Sequence, residues 1–222
     1  MANFQVAIDG PAGSGKSTIS KIIANKLKMT HIDTGAMYRA VTLLAIQKKI
    51  DLTNELEYRF LETTNIYYQN EKIFIDNNDV TNEIRNPLVT NNVSLVSSFP
   101  YVRKMLVKKQ KEASLIGNVI MDGRDIGTVV MPNAQVKIFL TALVTERAKR
   151  RQQEKINKGE MPKLEELLSE IQKRDEKDST RLESPLKKAD DAILIDTTNL
   201  SIEQVVEKII RLIKLAKGDM NE

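Results

Sequence analysis

Apolar residues fall along this chain in short runs that alternate with helical stretches. Phe4 to Ile8, "FQVAI", is an apolar run that stops at a glycine-rich segment, and it predicts a buried strand. "STISKIIANKL" follows with Ile19, Ile22, Ile23 and Leu27 at helical spacing. "THID" leads into Thr34-Gly35-Ala36-Met37-Tyr38-Arg39 and a helix expected to reach Gln47. Three more apolar runs, Asn118 to Asp122, Val136 to Leu140 and Ala192 to Asp196, are separated by helical pattern. This rhythm predicts an α/β fold with a parallel sheet and helices on both faces. A last helix is expected from Ser201 to about Lys217. Ser201 would be its N-cap, and Ile202, Val205, Val206, Ile209 and Ile213 its inner face.

Residues 65–80 break the rhythm. "NIYYQNEKIFIDNNDV" sets aromatic and β-branched residues on either side of Asn70-Glu71 and ends in the turn-forming Asp76-Asn77-Asn78-Asp79. That pattern predicts a hairpin with a third short strand. A simple α/β unit has no need of it, so residues 64–104 are read as an inserted subdomain within one domain spanning 1–222.

Composition narrows the function. The 222 residues, 41% of them hydrophobic, suffice for one sizeable core with an insertion. A net charge of +4 suits anionic ligands and is too weak to indicate nucleic acid. With no cysteine and a single histidine, His31, thiol chemistry, cysteine-based zinc sites and a serine triad with a spare histidine are excluded. His31 reads as a structural residue at a strand edge. No run approaches a membrane span, and the expectation is a soluble, cytoplasmic monomer.

The chemistry starts at Gly10-Pro11-Ala12-Gly13-Ser14-Gly15-Lys16-Ser17-Thr18. It satisfies G-x-x-x-x-G-K-[ST] and lies between a predicted strand and a predicted helix, as a phosphate-binding loop requires. Its glycines let backbone N–H groups wrap an anion, and the helix that follows adds its positive end. Lys16 would reach the outer phosphates and the Ser17 hydroxyl would hold Mg²⁺. Asp122, an acid closing an apolar strand, is the candidate for an indirect role beside the metal.

The loop alone leaves a switch GTPase, a nucleic-acid motor and a small-molecule kinase open. The guanine-reading N-K-x-D tetrapeptide is missing, and the chain is short for a motor. A kinase that joins two anions needs further cations around both, and arginine suits that work because its planar fork pairs with phosphate oxygens. Arg39 follows the second predicted strand, and Arg124 and Asp125 follow the strand ending at Asp122. In an open α/β sheet these are the strand ends where ligands bind. After Pro162, Leu164, Leu167, Leu168 and Ile171 form an inward stripe, and the same spacing continues into Arg174, Asp178 and Arg181. Spacing alone admits a cleft-facing surface or a solvated helix end. In residues 145–162, Arg147, Arg150 and Arg151 share a helical face and are read as a lid over the donor phosphates.

Six segments, "IDGPAGSGKST", "IDTGAMYRA", "NVSLVSSFPYVR", "MDGRDIGTVVMP", "VKIFLTA…ERAKRR" and "RDEKDSTR…PL", occur in this order and together resemble bacterial cytidylate kinase. The loop motif is widely shared; "DTGAMYR" with "DGRDIGT" is far more specific. The resemblance covers nearly the whole chain. It implies a P-loop kinase with a five-stranded parallel sheet flanked by helices, an inserted CMP-binding subdomain and a short lid. The implied reaction is Mg²⁺-dependent transfer from ATP to CMP and dCMP, with UMP or AMP kinase and a non-kinase switch as alternatives. It implies base recognition by Thr34, Ser94, Arg103 and Asp125, ribose contacts from Arg174, Asp178 and Ser94, and acceptor-phosphate contacts from Arg39, Arg124 and Arg181. Lys16, Arg124, Arg181, Arg147 and Arg151 are the implied catalytic residues. The ATP site is Gly10 to Thr18 with Arg150. Thr34 stands where some members have serine; the hydroxyl survives, and an extra methyl lies near the base.

Overall fold

The computed structural model describes residues 3–69, 71–157 and 159–218. Five parallel strands form the central sheet: β1 (Gln5–Asp9), β2 (Thr30–Asp33), β6 (Val119–Gly123), β7 (Val136–Thr141) and β8 (Ile193–Asp196), in the order β2-β6-β1-β7-β8. A strand covered on both faces must be apolar on both, which is why β1 and β6 read as near-continuous apolar runs, whereas β2, at the sheet edge, is the mixed Thr-His-Ile-Asp. Val6 and Ile8 of β1 pack with α1 (Lys16–Leu27) and α7 (Ile202–Lys217). Ala7 points the other way and packs with Ile32, Met121, Ile126 and Val130.

The outermost strand departs from the expectation of a buried run. β8 has a partner on one side only, and Leu194 is 56% exposed. Ile202, expected on the inner face of α7, is 46% exposed, because the first turn of that helix projects past the sheet while Val205, Val206, Ile209 and Ile213 are buried. Ser201 caps α7 in a reciprocal box with Gln204.

Residues 64–104 hold a three-stranded antiparallel sheet, β3 (Ile66–Gln69), β4 (Lys72–Ile75) and β5 (Asn78–Asp79), then α3 (Pro87–Val96) and the start of α4 (Pro100–Ser114). Asn70, half of the expected turn, lies outside the described residues; Glu71 adopts a left-handed φ of 61°. Asn86 caps α3 through the Val89 amide at 2.8 Å, and Pro87 fills the first helical position. The segment has no core of its own. Ile66, Ile73, Ile84, Val89 and Val93 share one apolar cluster with α2 (Thr34–Gln47), and with Tyr58 and Leu61 of the 3-10 helix Glu55–Glu62.

The sheet sets the position of the glycine loop. Gly10 follows β1 with φ of 150°, and a Cβ built there would stand 2.0 Å from the carbonyl oxygen of Leu140 on β7. Since backbone cannot yield as a side chain end can, only glycine lets the chain turn off β1 at this point. Gly10→Ala should therefore destabilise the fold by about 3 kcal/mol or more. Urea unfolding of the purified variant checks this; a midpoint equal to wild type would remove the constraint.

Candidate active site

The carboxyl ends of β1, β2 and β6 open onto a cleft of about 560 Å³. Its floor is the glycine loop, its far wall is built by α2 and α3, and α5 (Val144–Ile156) and α6 (Leu164–Thr180) supply the rest. Cationic side chains lining it outnumber carboxylates eight to four, so its field favours an anion.

On the donor side, the Lys16 ammonium is buried and donates to the Pro11 carbonyl at 2.8 Å. Burial, and then the positive charge of Arg124, push its pKa well below the usual lysine value. Ser17 Oγ donates to Asp122 Oδ2 at 2.7 Å, and His31 Nε2 lies 2.6 Å from Asp122 Oδ1. One carboxylate thus ties α1, β6 and β2 together. Burial opposes a charge on His31, but its hydrogen bond to Asp122 together with the negative charges of Asp122, Asp33 and Glu71 outweighs this and raises the pKa.

Arg147 is buried, and its donors go to the Ala142 carbonyl at 3.0 Å, the Ala12 carbonyl at 2.9 Å and Asp175 at 2.6 Å. Asp175 Oδ1 also accepts the Ala12 amide at 3.3 Å. The Ala12 peptide is therefore gripped on both sides by the helices α5 and α6. Sequence reasoning gave Asp175 no role, although it is the second residue of the segment "RDEKDSTR". Arg150 turns away to Thr197, giving 2.6 Å to the carbonyl and 3.0 Å to the hydroxyl. Arg151 lines the cleft beside Glu154, its ion-pair partner at 3.1 Å.

On the opposite side the leucine stripe of α6 continues without a break. Leu167 and Ile171 are buried; Arg174 faces the cleft, and Asp178 is 5% exposed. Arg124 Nε donates to Asp178 Oδ2 at 2.8 Å, while Arg181 NH1 stands 3.8 Å from Asp178 Oδ1 and its NH2 3.8 Å from Asp125. Arg39 donates to the Thr90 hydroxyl at 2.9 Å. Burial and then the charge of Arg174 lower Arg39 to about 9; burial and then Arg124 lower Arg174 to about 10. Burial and then Arg103 lower Arg181. Burial also works against Arg124, but Asp178 more than offsets it and its pKa rises. Guanidinium groups depressed by one another are positive charge in excess of its partners, the state that an arriving phosphate relieves.

Behind this cluster, Arg103 is 3% exposed, paired with Asp125, and donates to the Ser97 carbonyl at 3.1 Å. Its guanidinium lies 5.3 Å from the Tyr38 ring centroid. Thr34 Oγ1 donates to the Asp122 carbonyl at 2.8 Å. Ser94 Oγ is buried at the cleft without a hydrogen-bond partner. Sequence reasoning missed Arg85, which reaches Asp33 at 3.2 Å and lines the cleft from the inserted segment.

A glycine loop and its lysine on one side, Arg39, Arg124 and Arg174 on the other with Asp178 and Arg181 buried beside them, and a parallel sheet beneath define a P-loop phosphotransferase of the nucleoside monophosphate kinase type. The comparisons agree. A solved gluconokinase from Sinorhizobium meliloti 1021 shares the fold at a TM-score of 0.51 and 13% identity, over 97% of this chain and 94% of its own. The cytidylate kinase family model matches residues 6–215. A cytidylate kinase of Acholeplasma laidlawii is 61% identical over 222 residues, all of both chains. One from Caldanaerobacter subterraneus subsp. tengcongensis is 52% identical over 220 residues, 97% of each. The chain belongs to the cytidylate kinase family.

Asp178 carries a prediction about stability. Burial raises its pKa, but Arg124 and Arg174 lower it further, so the net shift is downward. A lowered carboxylate contributes stability above its unfolded value near ~4 and loses it as pH falls through the lower folded value. Asp178→Asn should therefore cost about 3 kcal/mol at pH 7 and flatten the loss of stability below pH ~4. Urea midpoints across pH check both; an acid limb as steep as wild type would take the charge away from Asp178.

Proposed function

We propose that this chain transfers the γ-phosphoryl group of ATP to the phosphate of CMP, and of dCMP, by direct in-line displacement. The observation that carries the proposal is the pairing of two anion sites in one cleft, Lys16 and the loop opposite Arg39, Arg124 and Arg174, with Arg181 buried beside Asp178 and Asp125. The acceptor is an anionic oxygen, so it needs no strong general base; the reaction needs two anions brought together and the charge between them neutralised.

The loop amides and Lys16 hold the donor phosphates. Arg39, Arg124 and Arg181 hold the acceptor phosphate, with Asp178 fixing the guanidinium planes. Arg124 and Arg181 then stabilise the transferring group. Arg174, Asp178 and Ser94 face the ribose. Cytosine offers an amino donor beside acceptor atoms, and Asp125 with Arg103 supplies the complementary pair, assisted by Thr34 and Ser94. Arg151 closes from the lid of residues 145–162, Arg147 braces Ala12 beneath the phosphates, and Arg150 would have to leave Thr197 to reach ATP.

The donors Ser17 Oγ and Asp122 suit a magnesium ion, which takes hard oxygen ligands. Among the described residues no group of three His, Cys, Asp or Glu side chains could hold a metal, so ATP oxygens and water would complete its shell. When bound, magnesium neutralises charge on the donor phosphates. Among the described residues no helix is long and apolar enough to cross a membrane. We place the enzyme in the cytoplasm with its nucleotide substrates, as a monomer that does not act on nucleic acid; the net charge of +4 is modest for a nucleic-acid surface.

Two experiments test this. With ATP and a panel of CMP, dCMP, UMP and AMP, diphosphate should form fastest from the cytidine nucleotides; clear preference for UMP or AMP would overturn the base assignment. Arg181→Met should lower kcat by about a hundredfold or more, as expected for a buried group aimed at developing charge. Near-normal turnover would return Arg181 to a structural role.

A further inference from the structure

Asp9 is a buried carboxylate that the mechanism above leaves unused. It is the last residue of β1, one position before the glycine loop, and 4% exposed. Both of its oxygens are taken by amides outside the loop, and only its charge reaches the loop, at Lys16. Oδ1 accepts the Ile126 amide at 2.8 Å and Oδ2 accepts the Gly127 amide at 2.7 Å. These are the two residues that follow Arg124 and Asp125. The register explains the reach: Asp9 pairs with Gly123 on β6, so the chain leaving β6 passes over the end of β1.

The segment that Asp9 holds is a single π-helical turn, Ile126–Val130. The Asp125 carbonyl closes it by accepting the Val129 amide at 2.9 Å and the Val130 amide at 3.2 Å. Asp125 is thus fixed from behind by the turn and from ahead by Asp9. Its carboxylate is the partner of Arg103, and its neighbour Arg124 is the partner of Asp178. Burial is the larger influence on Asp9 itself and lifts its pKa to about 6, against the pull of the two amides. A carboxylate kept in so unfavourable a place makes sense where its two oxygens have work that an apolar residue cannot do.

We propose that Asp9, although it stands at the head of the donor-phosphate motif, is a positioning residue for the acceptor nucleotide, setting Asp125 and Arg124 through the Ile126 and Gly127 amides. The inference rests on the CMP kinase reading. It also links the two substrates, because the backbone that enters the donor loop at Gly10 is the backbone that carries Asp9.

The test uses Asp9→Asn, which keeps size and shape but turns one acceptor into a donor facing an amide. Loss of one hydrogen bond of this kind should raise KM for CMP about tenfold. KM for ATP should move by less than about threefold, since the loop's own N–H groups are untouched. The ratio of kcat/KM for CMP over UMP should fall with it. Equal rises in both KM values, or an unchanged KM for CMP in a folded variant, would overturn the proposal. Wild type without preference for CMP would instead sink the reading on which it rests. Hydrogen exchange on the wild-type chain gives a second readout that does not depend on the variant folding. Saturating ATP should slow exchange of the Ile126 and Gly127 amides, although neither residue lines the cleft. Exchange there that is indifferent to ATP would overturn the link.

Discussion

Asp178 faces Arg124 at 2.8 Å and Arg181 at 3.8 Å, and it feels the charge of Arg174 as well. Its burial would normally keep a carboxylate neutral, and theirs would normally strip guanidinium groups of their water without replacement. Each makes the other tolerable. The balance is incomplete: positive charge exceeds negative, and burial first, then the charge of neighbouring arginines, depress Arg39, Arg174 and Arg181. That surplus is the acceptor site's affinity for phosphate, held ready before the substrate arrives. It also explains why a helix so charged at its end can keep Asp178 buried rather than fray into water.

The donor side follows a different rule. There the backbone does most of the holding, and the side chains hold the backbone. Asp175 and Arg147 grip the two faces of the Ala12 peptide, Asp122 fastens Ser17 and is braced by His31, and Gly10 gives way to the Leu140 carbonyl. Four of the parallel strands carry an acid at their carboxyl end, and those of β1, β2 and β6, Asp9, Asp33 and Asp122, each position something else: the turn after Asp125, the first turn of α2, and Ser17. Parallel strands make this economy available, because all their carboxyl ends emerge on one side.

Much of this was legible in the residues. Apolar runs gave the strands, helical spacing gave α1, α6 and α7, and the loop motif fixed one ligand. The failures have physical causes. Ile202 matched its stripe yet is half exposed, since periodicity describes a face and not how far the neighbouring layer extends. Arg147, Arg150 and Arg151 share a helical neighbourhood, but one braces Ala12, one binds Thr197 and one lines the cleft. Nothing near Asp9 in the chain points to its role, because its partners, the Ile126 and Gly127 amides, lie more than a hundred residues away.

The sequence by itself determined the α/β class, the phosphate loop, and a stripe on α6 that changes from leucine to arginine and aspartate. These depend on neighbours within a helical turn or on alternation along a strand, and such short-range geometry is written directly in residue order. Only the tertiary structure decided that the charged stripe meets Arg124 rather than water, which arginines hold backbone and which face the cleft, and that Asp9 serves the acceptor side. Those outcomes depend on strand order, β2-β6-β1-β7-β8, which brings together residues far apart in the chain. The energy of a buried charge is set by whatever lies within a few ångströms of it in space, and no local pattern encodes that.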